Sequence, residues 1–259
     1  EGTAIYELFK KDVLRYSTIE KPGFKVMKTN FFVDIAAGFE LVRTHLEAES
    51  GDYVASFRAV DFSRPEDTKD KSAATRYARK VAAYLCCLYR AGFPVPKNFS
   101  VKFSGNKELN EIVQKGGKID PAKGISLSDA SMWFSAIWDA HDSSAYFDDY
   151  RKTHGHEWAD EDLQAILKFL TRKRKPGGSA DVSGFLKLRE LRGLHTHTVD
   201  RPFSEEILTH LREGKIVIVD LSQGAPEIQR LYSERICRQI FADAMGRFVE
   251  ARPNNFVQF

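Results

Sequence analysis

The chain has 259 residues, of which 42% are hydrophobic and 29% charged, so it carries enough apolar side chains to form a core and is not expected to be disordered. Its formal net charge of +3 is too small to identify a nucleic-acid-binding protein, and any basic surface must therefore be local. The sequence has no apolar run of about 20 residues, no secretory signal and only three cysteines, which predicts a cytoplasmic protein without a membrane partner or a disulfide framework.

The first hundred residues alternate between helical and strand-like patterns. Apolar spacing predicts the helices, and runs of β-branched and aromatic residues predict the strands. The predicted elements are a helix over 3–16, a strand over 24–32, a helix over 35–49, a strand over 52–62, a helix from about Lys69 to Arg90, and a short strand or extended segment over 99–103.

The stretch from Glu108 to Arg192 has a helical pattern almost throughout, with breaks at 115–124, 152–157 and 175–178. We interpret it as an all-helical insertion within a single α/β domain. The predicted organisation is an N-terminal α/β part over 1–106, the helical insertion over 107–200 and a C-terminal α/β segment over 201–259.

The C-terminal segment has the order helix, strand, helix, strand. A helix over 201–214 is predicted to have Ser204 as its N-cap and Gly214 as its stop. The apolar run "KIVIVDL" (215–221) is typical of a strand buried on both faces of a parallel sheet, and "FVQF" (256–259) is predicted to start another strand. A long amphipathic helix between them is predicted to bury Ile228, Leu231, Tyr232, Ile236, Ile240, Met245 and Phe248.

The sequence contains no phosphate-binding loop of the form GxxxxGK[ST], in which backbone N–H groups and a helix N-terminus hold the phosphates. The glycine–lysine stretches "KGGKID", "KPGGSAD" and "REGKIV" lack its spacing and are interpreted as turns.

Asp220 ends the predicted strand, where open α/β sheets place functional groups. It suits a Walker B acid that coordinates the magnesium-bound water network. The interpretation we favour is a strand-end acid that caps the following helix, whose first turn would contain Pro226 and Glu227.

A basic segment, "KFLTRKRKPGG" (168–178), has no acid between its cations and is followed by paired glycines. Its clustered Arg172, Lys173, Arg174 and Lys175 suit contact with a phosphate backbone. The alternative is a solvated helix end, where cations are favoured by the helix dipole. The sequence leaves both open.

The histidine pairs at 154–156 ("HGH") and 195–197 ("HTH") suggest metal ligation, but the sequence gives no fixed third ligand. We interpret them as loop and cap residues and predict no metal site. No GxSxG motif anchors a Ser/His/Asp triad, and no catalytic residue is assigned.

The segment 205–248, "EEILTHLREGKIVIVDLSQGAPEIQRLYSERICRQIFADAMGRF", followed by "NNFVQF", resembles the HerA-type ATPases of the FtsK/HerA class of DNA translocases. In that family a short helix leads into a strand ending in DLS, then a long Arg- and Leu-rich helix, then the strand that carries Walker B. The segments "RYARKVAAYLCCLYRAGFPVP" and "GFLKLRELRGLHTHT" are similar to the family's helical insertion.

The resemblance implies a partial RecA-like parallel sheet of the P-loop NTPase class with a large helical insertion. It implies that Walker A precedes residue 1 and Walker B follows residue 259, so none of the family's principal catalytic residues maps onto this chain. Asp220, Ser222 and Gln223 would lie near the nucleotide. The intact protein would use ATP and Mg²⁺, neither bound by this chain alone. It would form a ring of copies of itself, a hexamer by analogy with the family, and act on DNA with a nuclease-type or other effector protein.

Two other functions remain open from the sequence. The first is a non-catalytic α/β interaction module that lacks an ATP site. The second is a nucleic-acid-binding adaptor that uses the basic segment. Only the DNA-translocase hypothesis requires an open reading frame that continues past both ends of this chain, with a GxxGxGK[ST] motif upstream. It also predicts exposed apolar edges, and hence aggregation or dependence on a partner for the isolated chain.

Overall fold

The computed structural model describes residues 5–67, 70–113, 119–198 and 201–253. The chain forms two compact units. The sheet unit comprises Glu1–His45 with Gly193–Phe259, and the helical unit comprises Leu46–Arg192. The boundaries predicted from the sequence, at 106/107 and 200/201, fall inside the helical unit and the sheet unit respectively.

Helices dominate both units. Along the described residues they are α1 (Ile5–Leu8), α2 (Ile35–His45), α3 (Asp52–Arg58), α4 (Lys71–Ala91), α5 (Lys107–Val113), α6 (Leu127–Ala140), α7 (Ala145–His154), α8 (Glu161–Thr171), α9 (Phe203–Arg212) and α10 (Pro226–Val249), with 3₁₀ turns at Pro121–Lys123 and Gly184–Leu194.

The sheet unit contains three parallel strands, β1 (Val13–Ser17), β2 (Lys25–Val26) and β3 (Ile216–Asp220), in the order β2-β1-β3. β1 and β3 pair over five residues, from Val13 opposite Ile216 to Ser17 opposite Asp220. The predicted α/β class with a parallel sheet is therefore confirmed. The helix predicted over 3–16 is wrong beyond α1, because pairing with both neighbouring strands holds β1 extended and overrides its local helical spacing.

The strand β3 is less buried than its sequence suggests. Ile216 and Ile218 are 40% and 42% exposed, whereas Val217 and Val219, on the other face, are partly covered. The prediction of a strand buried on both faces is wrong, because in the described residues β3 is the outer strand of the sheet and α9 packs against it.

The helix α10 packs against α2 and α9, and its buried residues all lie in its first half. Ile228, Leu231, Tyr232 and Ile236 are buried as predicted. Met245 and Phe248, also predicted to be buried, are 44% and 74% exposed. Together with the exposed Phe241 they are spaced one helical turn apart, on the side of α10 opposite to its buried residues. The helix therefore has a buried apolar face in its first half and an exposed apolar face in its second half.

The start of α9 also differs from the prediction. The helix begins at Phe203, its N-cap is Pro202 without a side-chain cap, and the Pro202 carbonyl accepts the first N–H groups. Ser204 is buried in the first turn and is not the N-cap. Gly214 adopts a left-handed φ of 78° after the helix, as a glycine stop signal does.

The helical unit is built around the long helix α4, which packs against α6 and α8. Its core is aromatic, and Trp133, Phe134 and Phe169 have no exposed surface. The segment predicted as a strand over 52–62 instead contains the helix α3. Val54 and Phe57, three residues apart, are buried on one face, and Phe57 stacks on Phe169 with ring centroids 3.8 Å apart. Packing on α8 therefore overrides the β-propensity of this segment.

The predicted helical pattern from 108 to 192 is largely confirmed by α5 to α8. The short strand or extended segment predicted over 99–103 is a single antiparallel bridge between Val101 and Ile125. The strand predicted at 256–259 lies outside the described residues. No helix in the described ranges is long and apolar enough to cross a bilayer.

Candidate functional site

Asp220 lies at the carboxyl end of β3, directly opposite Ser17 of β1. Its Oδ2 accepts a hydrogen bond from Lys21 Nζ at 2.5 Å. Its Oδ1 accepts hydrogen bonds from the Ser222 backbone N–H at 2.9 Å and from Ser222 Oγ at 2.6 Å. Lys21, followed by Ser222, lowers the pKa of Asp220 well below its usual range, so the carboxylate is ionised at neutral pH.

The loop after β3 is tied to the loop after β1. Thr18 Oγ1 donates a hydrogen bond of 2.6 Å to the carbonyl of Gln223. The following Gly224 has a φ of 107°, a conformation that L side chains rarely adopt. These bonds bring Asp220, Ser222 and Gln223 together with Thr18 and Lys21 at one edge of the sheet, which we call the carboxyl-edge cluster.

Asp220 does not cap the following helix, contrary to the interpretation we favoured from the sequence. α10 begins with Pro226 at its first position, as predicted, but its N-cap Ala225 offers no side-chain cap. The Asp220 carboxylate is directed to Ser222 within the loop instead. The sequence did not single out Lys21 and Thr18, because they come from a loop about 200 positions away and only the parallel pairing of β1 with β3 brings them close.

The predicted nucleic-acid-binding residues lie in a closed loop after α8, in the helical unit. We call residues 172–183 the basic loop. Its two ends are joined because the Arg172 carbonyl accepts the N–H groups of Asp181 and Val182 at 2.9 and 3.2 Å. At the base of the loop, Trp138 Nε1 donates a hydrogen bond to the Lys173 carbonyl at 3.2 Å. The ends of the basic loop are thus held by hydrogen bonds, whereas most of the residues between them, such as Arg174 and Lys175, are exposed to solvent.

The four cations of the basic loop differ in how far the protein already engages them. Arg172 is half-buried and its Nε donates to the Val182 carbonyl at 3.0 Å. Lys173 forms an ion pair of 2.6 Å with Asp139. Arg174 is 62% exposed, with Asp181 3.8 Å away. Lys175 is exposed. Arg174 and Lys175 are therefore the cations best placed to meet a ligand.

A cleft of about 490 Å³ opens beside the basic loop. Its walls are formed by Tyr53 from α3 and by Arg172, Arg174, Ala180, Asp181, Val182 and Ser183 from the loop and its exit. The guanidinium carbon of Arg174 lies 5.8 Å from the centre of the Tyr53 ring. The sequence did not indicate Tyr53, because it lies more than 100 positions before the loop in a segment predicted as a strand.

The histidine pairs are structural in different ways. His154 ends α7 and His156 follows it, and each Nδ1 contacts a nearby backbone carbonyl, which confirms their interpretation as loop and cap residues. His195 is 4% exposed and packs edge-on against Phe31 and Phe32, with Nδ1 3.3 Å from Thr29 O. It is a core residue, and its interpretation as a loop or cap residue is wrong because the sequence does not reveal the aromatic pocket around it.

The described residues contain no group of three or more His, Cys, Asp or Glu side chains arranged to hold a metal ion. Cys86 and Cys87 are buried in α4, and burial raises the pKa of both thiols, that of Cys86 to about 12. All three cysteines are free.

Comparison of the chain with protein-family models, with curated proteins and with solved structures finds no match. The functional interpretation therefore depends on the carboxyl-edge cluster, the basic loop and the sequence pattern.

Proposed function

We propose that this chain is a central segment of a HerA-like, ATP-driven DNA translocase whose sheet is part of a RecA-like core. The observation that carries the proposal is the parallel pairing of β1 with β3, which sets the DLS acid Asp220 at the carboxyl edge. Ligands of open α/β sheets bind outside this edge.

The carboxyl-edge cluster is proposed to lie beside the nucleotide and not to perform the main chemistry. Both oxygens of Asp220 already accept hydrogen bonds from Lys21 and Ser222. In this role Asp220, Ser222 and Gln223 shape the loop next to the phosphates. ATP with Mg²⁺ would supply the driving reaction in the intact protein, where a ring of copies, an effector protein and DNA are the proposed partners.

The basic loop is the proposed contact with DNA. Its exposed cations, Arg174 and Lys175, would bind the phosphate backbone without reading sequence. The fixed ends of the loop favour this role, because a closed loop loses less conformational entropy on binding than a free one.

Equilibrium binding of a fluorescent ATP analogue with Mg²⁺ tests the proposal. It is measured on this 259-residue chain and on a longer chain that continues its reading frame on both sides. We expect binding by the longer chain only. Tight binding by the 259-residue chain would disprove the claim that it has no phosphate-binding loop, and no binding by either would reject the motor assignment.

The exposed face of α10 favours a second candidate function, a non-catalytic interaction module. Phe241, Met245 and Phe248 are between 44% and 74% exposed, and contiguous apolar surface of this kind marks sites of protein association. Failure of ATP binding by both chains, together with stable association through this face, would support this function instead.

A further inference from the structure

The cleft beside the basic loop is lined by an aromatic residue as well as by cations, which is more than contact with phosphate groups requires. Its lining includes Tyr53, Arg172 and Arg174, and the guanidinium group of Arg174 lies over the Tyr53 ring. A loop that held only a phosphate backbone would need cations but no aromatic ring. Aromatic rings and arginines beside a positively charged path are the elements that bind unpaired bases.

Tyr53 is held firmly enough to serve as a stacking surface. It lies one helical turn before Phe57 on α3, and the buried Phe169 of α8 contacts both rings, at 3.8 Å for Phe57 and 6.1 Å for Tyr53. The guanidinium group of Arg174 lies over the Tyr53 ring, and Tyr53 is one of the residues that line the cleft. The ring is thus in contact with the core through Phe169 and also borders the cleft.

The distance between Tyr53 and Arg174 is longer than in a tight cation–π pair and is close to what a nucleobase between them would need. The guanidinium carbon is 5.8 Å from the ring centre. Stacked bases lie about 3.4 Å apart, so a base between two planar groups requires about 7 Å in total. An outward movement of about 1 Å by the exposed Arg174 side chain would therefore admit a base.

Arg172 supports the same assignment through its backbone. It occupies the left-handed position after α8 with φ 62°, where glycine is usual because a side chain costs about 1–2 kcal/mol there. Its side chain bonds the Val182 carbonyl and lines the cleft. Asp181 is the one acid among the residues that line the cleft, and its ion pair with Arg174 leaves Arg172 as a further positive charge in the lining.

We propose that this cleft binds one unpaired nucleotide of a single-stranded nucleic acid. The base stacks between Tyr53 and Arg174, and its phosphate contacts Arg172. Lys175, just outside the cleft, continues the positive path to the neighbouring phosphate, which favours a strand over a free mononucleotide. The ligand class rests on the proposed function, but the site itself needs neither ATP nor a ring.

Fluorescence anisotropy with the full chain tests this site in the absence of ATP. The probes are a labelled twelve-residue oligothymidylate, an abasic strand of equal length and charge, and a duplex. We expect the wild type to bind the oligothymidylate at least 5-fold more tightly than the abasic strand. Equal binding of the two strands, or no binding of oligothymidylate, would overturn the proposal.

Variants separate stacking from charge. Tyr53→Leu keeps an apolar contact with Phe169 and should weaken oligothymidylate binding about 10-fold while leaving the abasic strand unchanged, whereas Tyr53→Phe should retain binding. Arg172→Gly suits the left-handed backbone and should weaken binding of both strands. Equal losses for both strands in Tyr53→Leu would overturn stacking, as would displacement of the strand by thymidine monophosphate at equal concentration. Circular dichroism confirms folding of each variant, and failure of ATP binding by the longer chain leaves these outcomes unaffected.

Discussion

The helical unit and the sheet unit bury their apolar residues to different degrees. In the helical unit, Trp133, Phe134 and Phe169 are completely buried among neighbouring helices. In the sheet unit, Ile216 and Ile218 on β3 and Phe241 and Phe248 on α10 are at least 40% exposed. The first unit has a closed core within the described residues, whereas the second exposes apolar side chains on β3 and α10, a kind of surface that often marks sites of association.

The two candidate sites also differ in how far their polar groups are already bonded within the protein. In the carboxyl-edge cluster the ionised Asp220 is already saturated by hydrogen bonds from Lys21 and Ser222. In the cleft of the helical unit, the Arg174 guanidinium carbon lies 5.8 Å from the Tyr53 ring centre, a gap that a small outward movement of Arg174 would widen enough for a planar ligand. In the proposed function, the polar groups of the carboxyl-edge cluster therefore fix the shape of a loop, whereas Arg174 and Tyr53 in the helical unit would contact a ligand themselves.

Removing a core ring should produce the largest effect. Phe57→Ala would leave a cavity opposite Phe169, and truncation of a buried Phe costs about 3–5 kcal/mol. We expect the free energy of unfolding of the helical unit, measured by urea denaturation, to fall by that amount. A loss below about 1 kcal/mol would show that α3 is not packed against α8 as described.

A backbone change at the end of the basic loop should have the next largest effect. Gly184 has φ 51°, and an added Cβ would lie 2.2 Å from the Phe169 carbonyl oxygen. Gly184→Ala should therefore destabilise the helical unit by about 1–3 kcal/mol, as other strained backbone positions do, and weaken oligonucleotide binding. Gly155→Ala is the matched control, because Gly155 lies in the same unit with a φ of 74° but no atom lies within 4 Å of its Cβ position, and an equal loss in both variants would contradict the close approach at Gly184.

The carboxyl-edge cluster should respond to pH. The pKa of Asp220 is lowered in the folded protein, so its contribution to stability is complete above the unfolded value of about 3.9. That contribution is lost as the pH falls through the folded value. The wild type should have a higher urea midpoint than Asp220→Asn at pH 7, with a difference that shrinks below about pH 4. A difference that does not change with pH would exclude the Lys21 ion pair as its cause.

The exposed apolar face of α10 should contribute least to folding. Phe241 and Phe248 are 64% and 74% exposed, and surface substitutions away from special features usually change stability by less than about 0.5 kcal/mol. The double variant Phe241→Ser/Phe248→Ser should keep the wild-type stability but reduce the concentration-dependent self-association expected from the sequence, as measured by sedimentation velocity. A wild-type protein that remains monomeric at all concentrations would contradict self-association through the exposed apolar face of α10.

The sequence predicted the elements whose signals are local. The patterns of α4 and α10 are long and periodic, and Gly92 marks the end of α4 and Pro226 the start of α10, so the existence of both helices could be predicted. The strand predicted over 52–62 was wrong, because the β-branched residues of this run favour a strand and only contact with Phe169 makes it a helix. The same limit applies to β1, whose strand state depends on pairing with β3.

The candidate sites were predictable to a similar extent. Asp220 and the cations at 172–175 follow from strand-end position and charge clustering. Lys21, Thr18 and Tyr53 do not, because each comes from a part of the sequence far from the motif that it joins. The exposure of Met245 and Phe248 was missed because the prediction placed them on the same face as Ile228 and Leu231, whereas the helical spacing places them on the opposite side of α10.

The most direct test of nucleic-acid contact by the basic loop is the salt dependence of duplex DNA binding. The logarithm of the association constant is measured against the logarithm of salt concentration for the wild type, Arg174→Ala/Lys175→Ala and Lys173→Ala. Because a duplex offers no unpaired base for Arg174 to stack on, Arg174 and Lys175 would each contact a phosphate. We therefore expect the double variant to reduce the magnitude of the slope by about 2, one unit for each lost phosphate contact. Lys173→Ala should change it little, because Lys173 is paired with Asp139. An unchanged slope in the double variant would show that the basic loop is a solvated helix end and would contradict the account.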